Sequence, residues 1–312
     1  MHPAFSVIFF TVASGAGFGL ISLLFIADVF KLGGGFSREQ LVIGGLIALS
    51  LIVFGLVSST FHLANPKNAW RAMTRFRTSW LSREGVFAIA FMPLALVYLA
   101  SIWFDAPSWL RETFGFLAAV LAWITVFSTG MIYACLKTIR QWNTPLVPAN
   151  YLALGYASGS LLLLLGAVYA RLDTTPYIAM SALIVSIAAV LKAIYYFWIR
   201  SPGLTPTINT ATGLTRAKVK LLDAGHTHGT FLTEEFGFQI ARRKASLLKI
   251  VVFAVGFMLP GLMLVWVFNQ NGGPTAALVA VAAGIVGAAV ERWLFFAEAR
   301  HVVNLYHGAQ RC

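Results

Sequence analysis

Apolar residues along this 312-residue chain come in long runs separated by polar links. A helix that crosses the hydrocarbon core of a bilayer needs about 20 mostly apolar residues. Eight runs meet that requirement: 4–30, 41–62, 84–104, 113–136, 150–170, 177–199, 246–268 and 275–297. Backbone groups in lipid must be hydrogen-bonded internally, so spanning segments are helices or closed barrels. Barrel strands are short and alternate apolar with polar positions. These runs are long and apolar all round, which decides for helices. The predicted fold is an all-α integral membrane protein, an eight-transmembrane-helix bundle in one polytopic domain over 1–312. Most links are short, but 63–83 and 200–245 are not.

Small residues mark where helices approach closely. Gly15 and Gly19 in the first span, and Ala280, Gly284 and Ala288 in the last, have the small-xxx-small spacing of packed membrane helices. Pro93 and Pro260 are expected to kink their helices, which neighbouring helices tolerate in a membrane. Composition agrees. The chain is 59% hydrophobic and 11% charged, against about 25% charged in soluble domains. A net charge of +12 sits in the links between apolar runs, a pattern that speaks for a lipid membrane and against nucleic acid. On one side the short links carry only Lys31, Arg38, Arg111 and Arg171. The other side holds Lys67, Arg71, Arg75, Arg77 and Arg83 in one link alone, with more in 137–149, 200–245 and the tail. The positive-inside rule places that richer side, with both termini, in the cytoplasm, and hence the protein in the cell inner membrane. The first run is too long for a cleavable signal peptide.

The link from His62 to Glu84 is the richest in candidate chemistry. Asn65 suits a helix N-cap and Pro66 a first turn. Trp70, Met73, Phe76 and Trp80 recur near helical spacing while Lys67, Arg71 and Arg75 fall on another face. This predicts a short amphipathic helix in the headgroup region. His62 ends the second span and Glu84 begins the third, so both belong to one membrane face. Gly55, Ser58, Ser59 and His62 share a side of the second helix and give it a small, polar stripe. An ionisable residue at such depth is a functional hypothesis by default. A His beside a carboxylate and an arginine can bind a quinone: His or Arg hydrogen-bonds a carbonyl oxygen, and His and Glu exchange protons with it. The competing reading is an interfacial capping cluster with no ligand.

Other polar residues have plainer readings. Lys192 in the sixth span is expected to snorkel. Asp28 is expected to pair with Lys31, and Glu291–Arg292 and Glu298–Arg300 to form interfacial pairs, with Glu291 able to line a cavity. His226 and His228, with Glu234 and Glu235 nearby, are a weak zinc signal. The long link reads better as a cytoplasmic docking loop for a soluble partner, with Phe231, Leu232, Phe236 and Phe238 as anchors. Two cysteines, Cys135 and Cys312, exclude a disulfide framework and an iron–sulfur cluster held by this chain alone. No haem is expected, because His2, His62, His226, His228, His301 and His307 all lie at span ends or in links. No Walker or Rossmann loop occurs.

The segment His62-Leu63-x-x-Pro66-x-x-Ala69, followed by Arg75, Ser79, Leu81-Ser82 and Glu84, resembles the membrane anchor subunit of the dimethyl sulfoxide reductase family (DmsC-type). The opening His2-Pro-Ala-Phe-Ser, the run from Glu234 to Lys244 and the run from Glu291 to Tyr306 look like the same family, so the resemblance spans nearly the whole chain. It implies a non-catalytic anchor in a complex of three subunits. The anchor would hold a ferredoxin-like four-cluster iron–sulfur subunit and a molybdopterin catalytic subunit at the membrane. It would exchange electrons with the quinone pool (menaquinone or ubiquinone) and carry no haem. The quinol-site histidine and acid of that family match His62 and Glu84, and Arg75 matches a family arginine. Ser59 and Arg71 complete the candidate site. The long link and C-terminal run look like the branch that includes anchors of cytoplasm-facing sulfite dehydrogenases, which implies electron flow from sulfite to quinone. Two readings from other classes stand beside this one: a secondary transporter, though mid-span charges are few and no internal repeat is evident in the sequence, and a purely structural tether.

Overall fold

The computed structural model describes residues 4–61, 66–200, 206–223, 240–269 and 273–312. Eight helices in it are long and apolar enough to cross a membrane. They are α1 (Phe5–Val29), α2 (Arg38–Thr60), α3 (Trp80–Trp103), α4 (Ser108–Ala134), α5 (Leu146–Tyr169), α6 (Thr175–Arg200), a seventh span and an eighth. The seventh runs from Ile240–Phe253 through a π segment, Ala254–Met258, into Leu259–Phe268; the eighth is Gly273–Ala297. Pro260 follows the π segment directly. Proline has no N–H for the helical ladder, and a wider turn just before it absorbs the interruption. Pro93 is accommodated inside an unbroken α3.

Several helices begin earlier than their apolar runs because their first turns are polar and capped. Ser37 accepts a hydrogen bond from the Gln40 N–H while the Gln40 side chain accepts from the Ser37 N–H, a capping box that starts α2 at Arg38. The Ser79 side chain accepts from the Ser82 N–H and starts α3 at Trp80.

Helix neighbours form two rings of four. α1 packs on α2, α2 on α3, α3 on α4 and α4 back on α1; α5, α6, the seventh span and the eighth close a second ring in the same order. α1 of one ring lies against α5 of the other, and these two helices are the most buried spans. Glycines make the crossing possible. A Cβ added at Gly19 would stand 2.5 Å from the Gly155 carbonyl oxygen, and one at Gly159 would stand 2.4 Å from the Leu20 nitrogen. Both contacts are with backbone, which cannot move aside. Gly15 and Gly19 therefore have Gly155 and Gly159 as partners. Gly284 packs on Leu161, which joins the eighth span to α5.

Contacts among the links show which of them share a membrane face. Asp173 N–H donates to Gly33 O and the Tyr177 hydroxyl to Leu32 O, so the links after α1 and α5 meet. At the opposite end, Val302 N–H donates to Thr138 O, Ile208 N–H to Gln310 O and Cys312 N–H to Pro206 O. The C-terminal tail thus ties the link after α4 to the start of the long link, all on the lysine- and arginine-rich face. Burial there holds the His301 imidazole below its usual pKa. Below this face lies an aromatic floor of Tyr133, Trp142, Tyr151, Phe295 and Phe296, with the Trp142 indole N–H donating to Phe295 O at 3.1 Å.

Residues 66–75 form the short helix that their spacing predicts, and it is a 3-10 helix, Pro66–Arg75. The spacing explains it: Trp70, Met73 and Phe76 recur every three residues, and three residues per turn stacks them in one row. That row is exposed, as a headgroup-level apolar edge requires, and Phe76 meets the Phe87 ring of α3 edge-on at 5.6 Å.

Candidate functional site

Glu84 enters the bundle in the second turn of α3, where its residue is 5% exposed. Its Oε1 accepts a hydrogen bond of 2.5 Å from the Thr129 hydroxyl of α4. Ser82 and Ser128, close by in sequence on the same two helices, carry buried hydroxyls with no partner among the described residues. Tyr133 stands one turn beyond Thr129 on α4, and its ring stacks on that of Tyr151 of α5 at 5.8 Å. A carboxylate held this way has Oε1 engaged and, among the described residues, no donor to Oε2, in surroundings of low dielectric that strengthen each hydrogen bond it makes.

Of the other predicted site residues, Arg71, Arg75 and Ser59 are described, and they do not gather around it. Arg71 and Arg75 are exposed on the 3-10 segment, with the Arg71 guanidinium over the Trp70 ring at 5.7 Å. Ser59 donates to its own helix at Leu56 O. Gly55 and Ser58 of the expected polar stripe face α1: Gly55 lies against Ser14, and the Ser58 hydroxyl donates to Ser6 O at 3.0 Å. Small size there serves close packing. His62 and Asn65 lie outside the described residues, as do His226, His228, Glu234, Glu235 and the Phe231, Leu232, Phe236 and Phe238 anchors.

Three readings of single residues need correction. Lys192 does not snorkel. It is 1% exposed and its ammonium pairs with Glu291 of the eighth span. Glu291 and Arg292 are no interfacial pair either: both are buried, and Arg292 Nε lies 2.6 Å from Glu291 Oε2. Glu298 pairs with Lys249, at 2.7 Å, instead of Arg300. The physical reason is common to all three. These spans sit inside a bundle, and a partner on a neighbouring helix is closer than the headgroup layer. Asp28 does pair with Lys31, at 3.2 Å, but also with Arg111 of α4 and with the Tyr98 hydroxyl.

The larger grooves lie away from Glu84. One of about 820 Å³ runs between α6 and the seventh span, lined by Ala182, Ser186, Phe253 and Phe257 among others. Another, of about 450 Å³, lies between Phe5 and Ile8 of α1, Lys244 and Leu248 of the seventh span and Trp293 of the eighth. Their walls are apolar, as surfaces filled by lipid chains are.

One feature of the site left a faint trace in the sequence. Thr125, Thr129 and Tyr133 recur every four residues, which places a polar row on one face of an otherwise apolar α4. Tyr151 and Arg292 carried no such pattern.

An all-α bundle of eight membrane-crossing helices, with buried charged and hydroxyl side chains near one face, defines a multi-pass membrane protein built around an interior polar layer. The chain belongs to the DMSO reductase anchor subunit family (DmsC), which matches residues 1–297. It is also 32% identical over 326 residues to a subunit of the sulfite dehydrogenase of Allochromatium vinosum, a match covering 98% of this chain and 99% of that protein. The family resemblance carried by the His62–Glu84 segment is thereby borne out, and the chain is a membrane anchor subunit.

Proposed function

We propose that this chain is the quinone-interacting membrane anchor of a three-subunit oxidoreductase, passing electrons between the quinone pool and an iron–sulfur subunit that serves a molybdopterin catalytic subunit. The observation that carries the reading is Glu84: a carboxylate buried in a membrane helix with a single hydroxyl donor, near the face that holds both long links. Isolated charges at such depth are costly, and where they occur they mark ion, proton or ligand sites. The residue types present suit a quinone headgroup: among the described residues the Ser82 and Ser128 hydroxyls have no partner, and Glu84 Oε1 alone has a donor.

When bound, a quinone supplies two-electron, two-proton chemistry. Glu84 holds or releases one of those protons, and Thr129 orients the carboxylate by donating to Oε1. His62, two residues past Thr60 in the sequence, is assigned the second polar contact. The surrounding aromatic and aliphatic side chains exclude water from the exchange. Sulfite is the proposed substrate of the catalytic partner, on the strength of the end-to-end match to a sulfite dehydrogenase subunit. The inner membrane, with the basic face and both termini in the cytoplasm, is the proposed location.

The test is made in membranes from cells that express this chain with its partner subunits. Sulfite-dependent reduction of the quinone pool is expected, and it should vanish when this chain alone is deleted while sulfite oxidation by a soluble acceptor persists. Unchanged quinone reduction without the chain, or equal loss of both activities, would overturn the reading.

A further inference from the structure

Lys192, Glu291 and Arg292 form a charged cluster inside the bundle that takes no part in the site described above. All three side chains are buried. Two cations against one carboxylate leave the cluster with one positive charge. The Lys192 ammonium also lies 4.4 Å from the Tyr195 ring centre. The Arg292 guanidinium lies 3.8 Å from the centre of the Tyr151 ring, and among the described residues its Nη1 and Nη2 have no hydrogen-bond acceptor in good geometry. Tyr151 stacks on Tyr133. Tyr133 stands one turn beyond Thr129, the hydroxyl donor to Glu84, on α4. Contacts therefore run from the charged cluster of the second helix ring through Tyr151 and Tyr133 to the Thr129–Glu84 pair of the first.

Packing alone does not account for it. Buried ion pairs contribute little net stability, because desolvation consumes most of their attraction, and apolar replacements of similar volume are often as stable. A net charge left inside a membrane is costlier still unless something opposite balances it. Glu84, when ionised, supplies an opposite charge. When Glu84 takes up a proton, the layer is left with an uncompensated positive charge in a medium that screens it poorly.

We propose that Lys192, Glu291 and Arg292 act as a positioning cluster that sets the proton affinity of Glu84 across the Tyr133–Tyr151 layer. This rests on the quinone-site reading of Glu84. The other groups near Glu84 bring no buried charge to it. Thr129 and Tyr133 of α4 and Tyr151 of α5 are uncharged hydroxyl groups. On its own helix, the neighbouring Arg83 is held away by the Phe76 and Arg77 carbonyls and the Trp80 ring. On the adjoining 3-10 segment, Arg71 and Arg75 are exposed. His62 lies outside the described residues.

A charge-balanced pair of variants tests the proposal in the assembled complex, with the pH profile of quinone-coupled turnover as the readout. Lys192→Met removes one positive charge from the cluster. The limb of the profile that reports Glu84 should move to higher pH, because a positive charge that favours its ionised form is gone. Lys192→Met/Glu291→Gln keeps the single positive charge of Arg292 while abolishing the ion pair. Its limb should return to the wild-type position. A structural staple would give the opposite order, with the double variant at least as disturbed as the single. A limb that does not move in Lys192→Met, or that stays displaced in the double variant, overturns the proposal. Glu84→Gln keeps the two failures apart: if it removes the limb while Lys192→Met leaves it in place, only the role of the cluster falls. If Glu84→Gln leaves the limb intact, the quinone-site reading falls with it.

Discussion

Glu84→Gln is expected to lower quinone-coupled electron transfer by about 10²–10⁴-fold, the usual contribution of one positioned acid–base group, while the complex still assembles. The isosteric amide keeps the volume and can still accept from the Thr129 hydroxyl, so α3 and α4 stay joined. It cannot take up a proton. Because the residue is almost fully buried, bulk water cannot substitute at the same rate. Turnover with a soluble acceptor at the catalytic partner should be untouched. Stopped-flow reduction of the quinone pool, beside the amounts of all three subunits on a gel, separates a chemical loss from an assembly loss. A Thr129→Val companion keeps the carboxylate but removes its donor, and should reduce turnover by a smaller factor.

The second large effect is structural. Gly159→Leu should leave little or no folded protein in the membrane. Even a single methyl at this position would meet the Leu20 nitrogen and the Gly19 backbone at 2.4–2.5 Å. These atoms belong to α1, the most buried of the spans, so the clash can be relieved only by parting α1 from α5. That contact joins the two four-helix rings, and overpacking in a tight core typically costs about 1–3 kcal/mol or more. Thermal unfolding in detergent, monitored by the α1–α5 distance between spin labels, measures the change. Gly261→Ala, at a position where an added Cβ meets nothing within 4 Å, serves as a matched control and should be neutral.

Much of the architecture was written in hydrophobicity. All eight spans appear where apolar runs of membrane length occur, because lipid demands such runs whatever the helices pack against. Their starts were less legible. Arg38, Glu39 and Gln40 are polar yet helical, since Ser37 caps them, and an apolar criterion passes over a capped polar turn. Glu84 was legible as an acid at the mouth of a span. Its donor was not, because Thr129 lies 45 residues away on another helix. The same holds for Lys192 and Glu291, separated by 99 positions. A lone lysine in an apolar run carries no mark of the partner that will neutralise it. Gly15 and Gly19 show the reverse case. Their spacing was visible, but their meaning came only from the facing Gly155 and Gly159. The two rings of four helices repeat in space what the sequence does not repeat in letters, since bundle topology depends on which faces meet and not on residue identity.

The placement of the quinone headgroup beside Glu84 is tested most directly by photolabelling. The assembled complex is illuminated with a photoreactive quinone analogue, and the labelled peptides are mapped by mass spectrometry. Label is expected on α3 and α4 around Ser82, Glu84 and Thr129, and should be lost on competition with excess natural quinone. Competable label confined to the groove between α6 and the seventh span, with none on α3 or α4, would contradict the assignment of Glu84 to the quinone site.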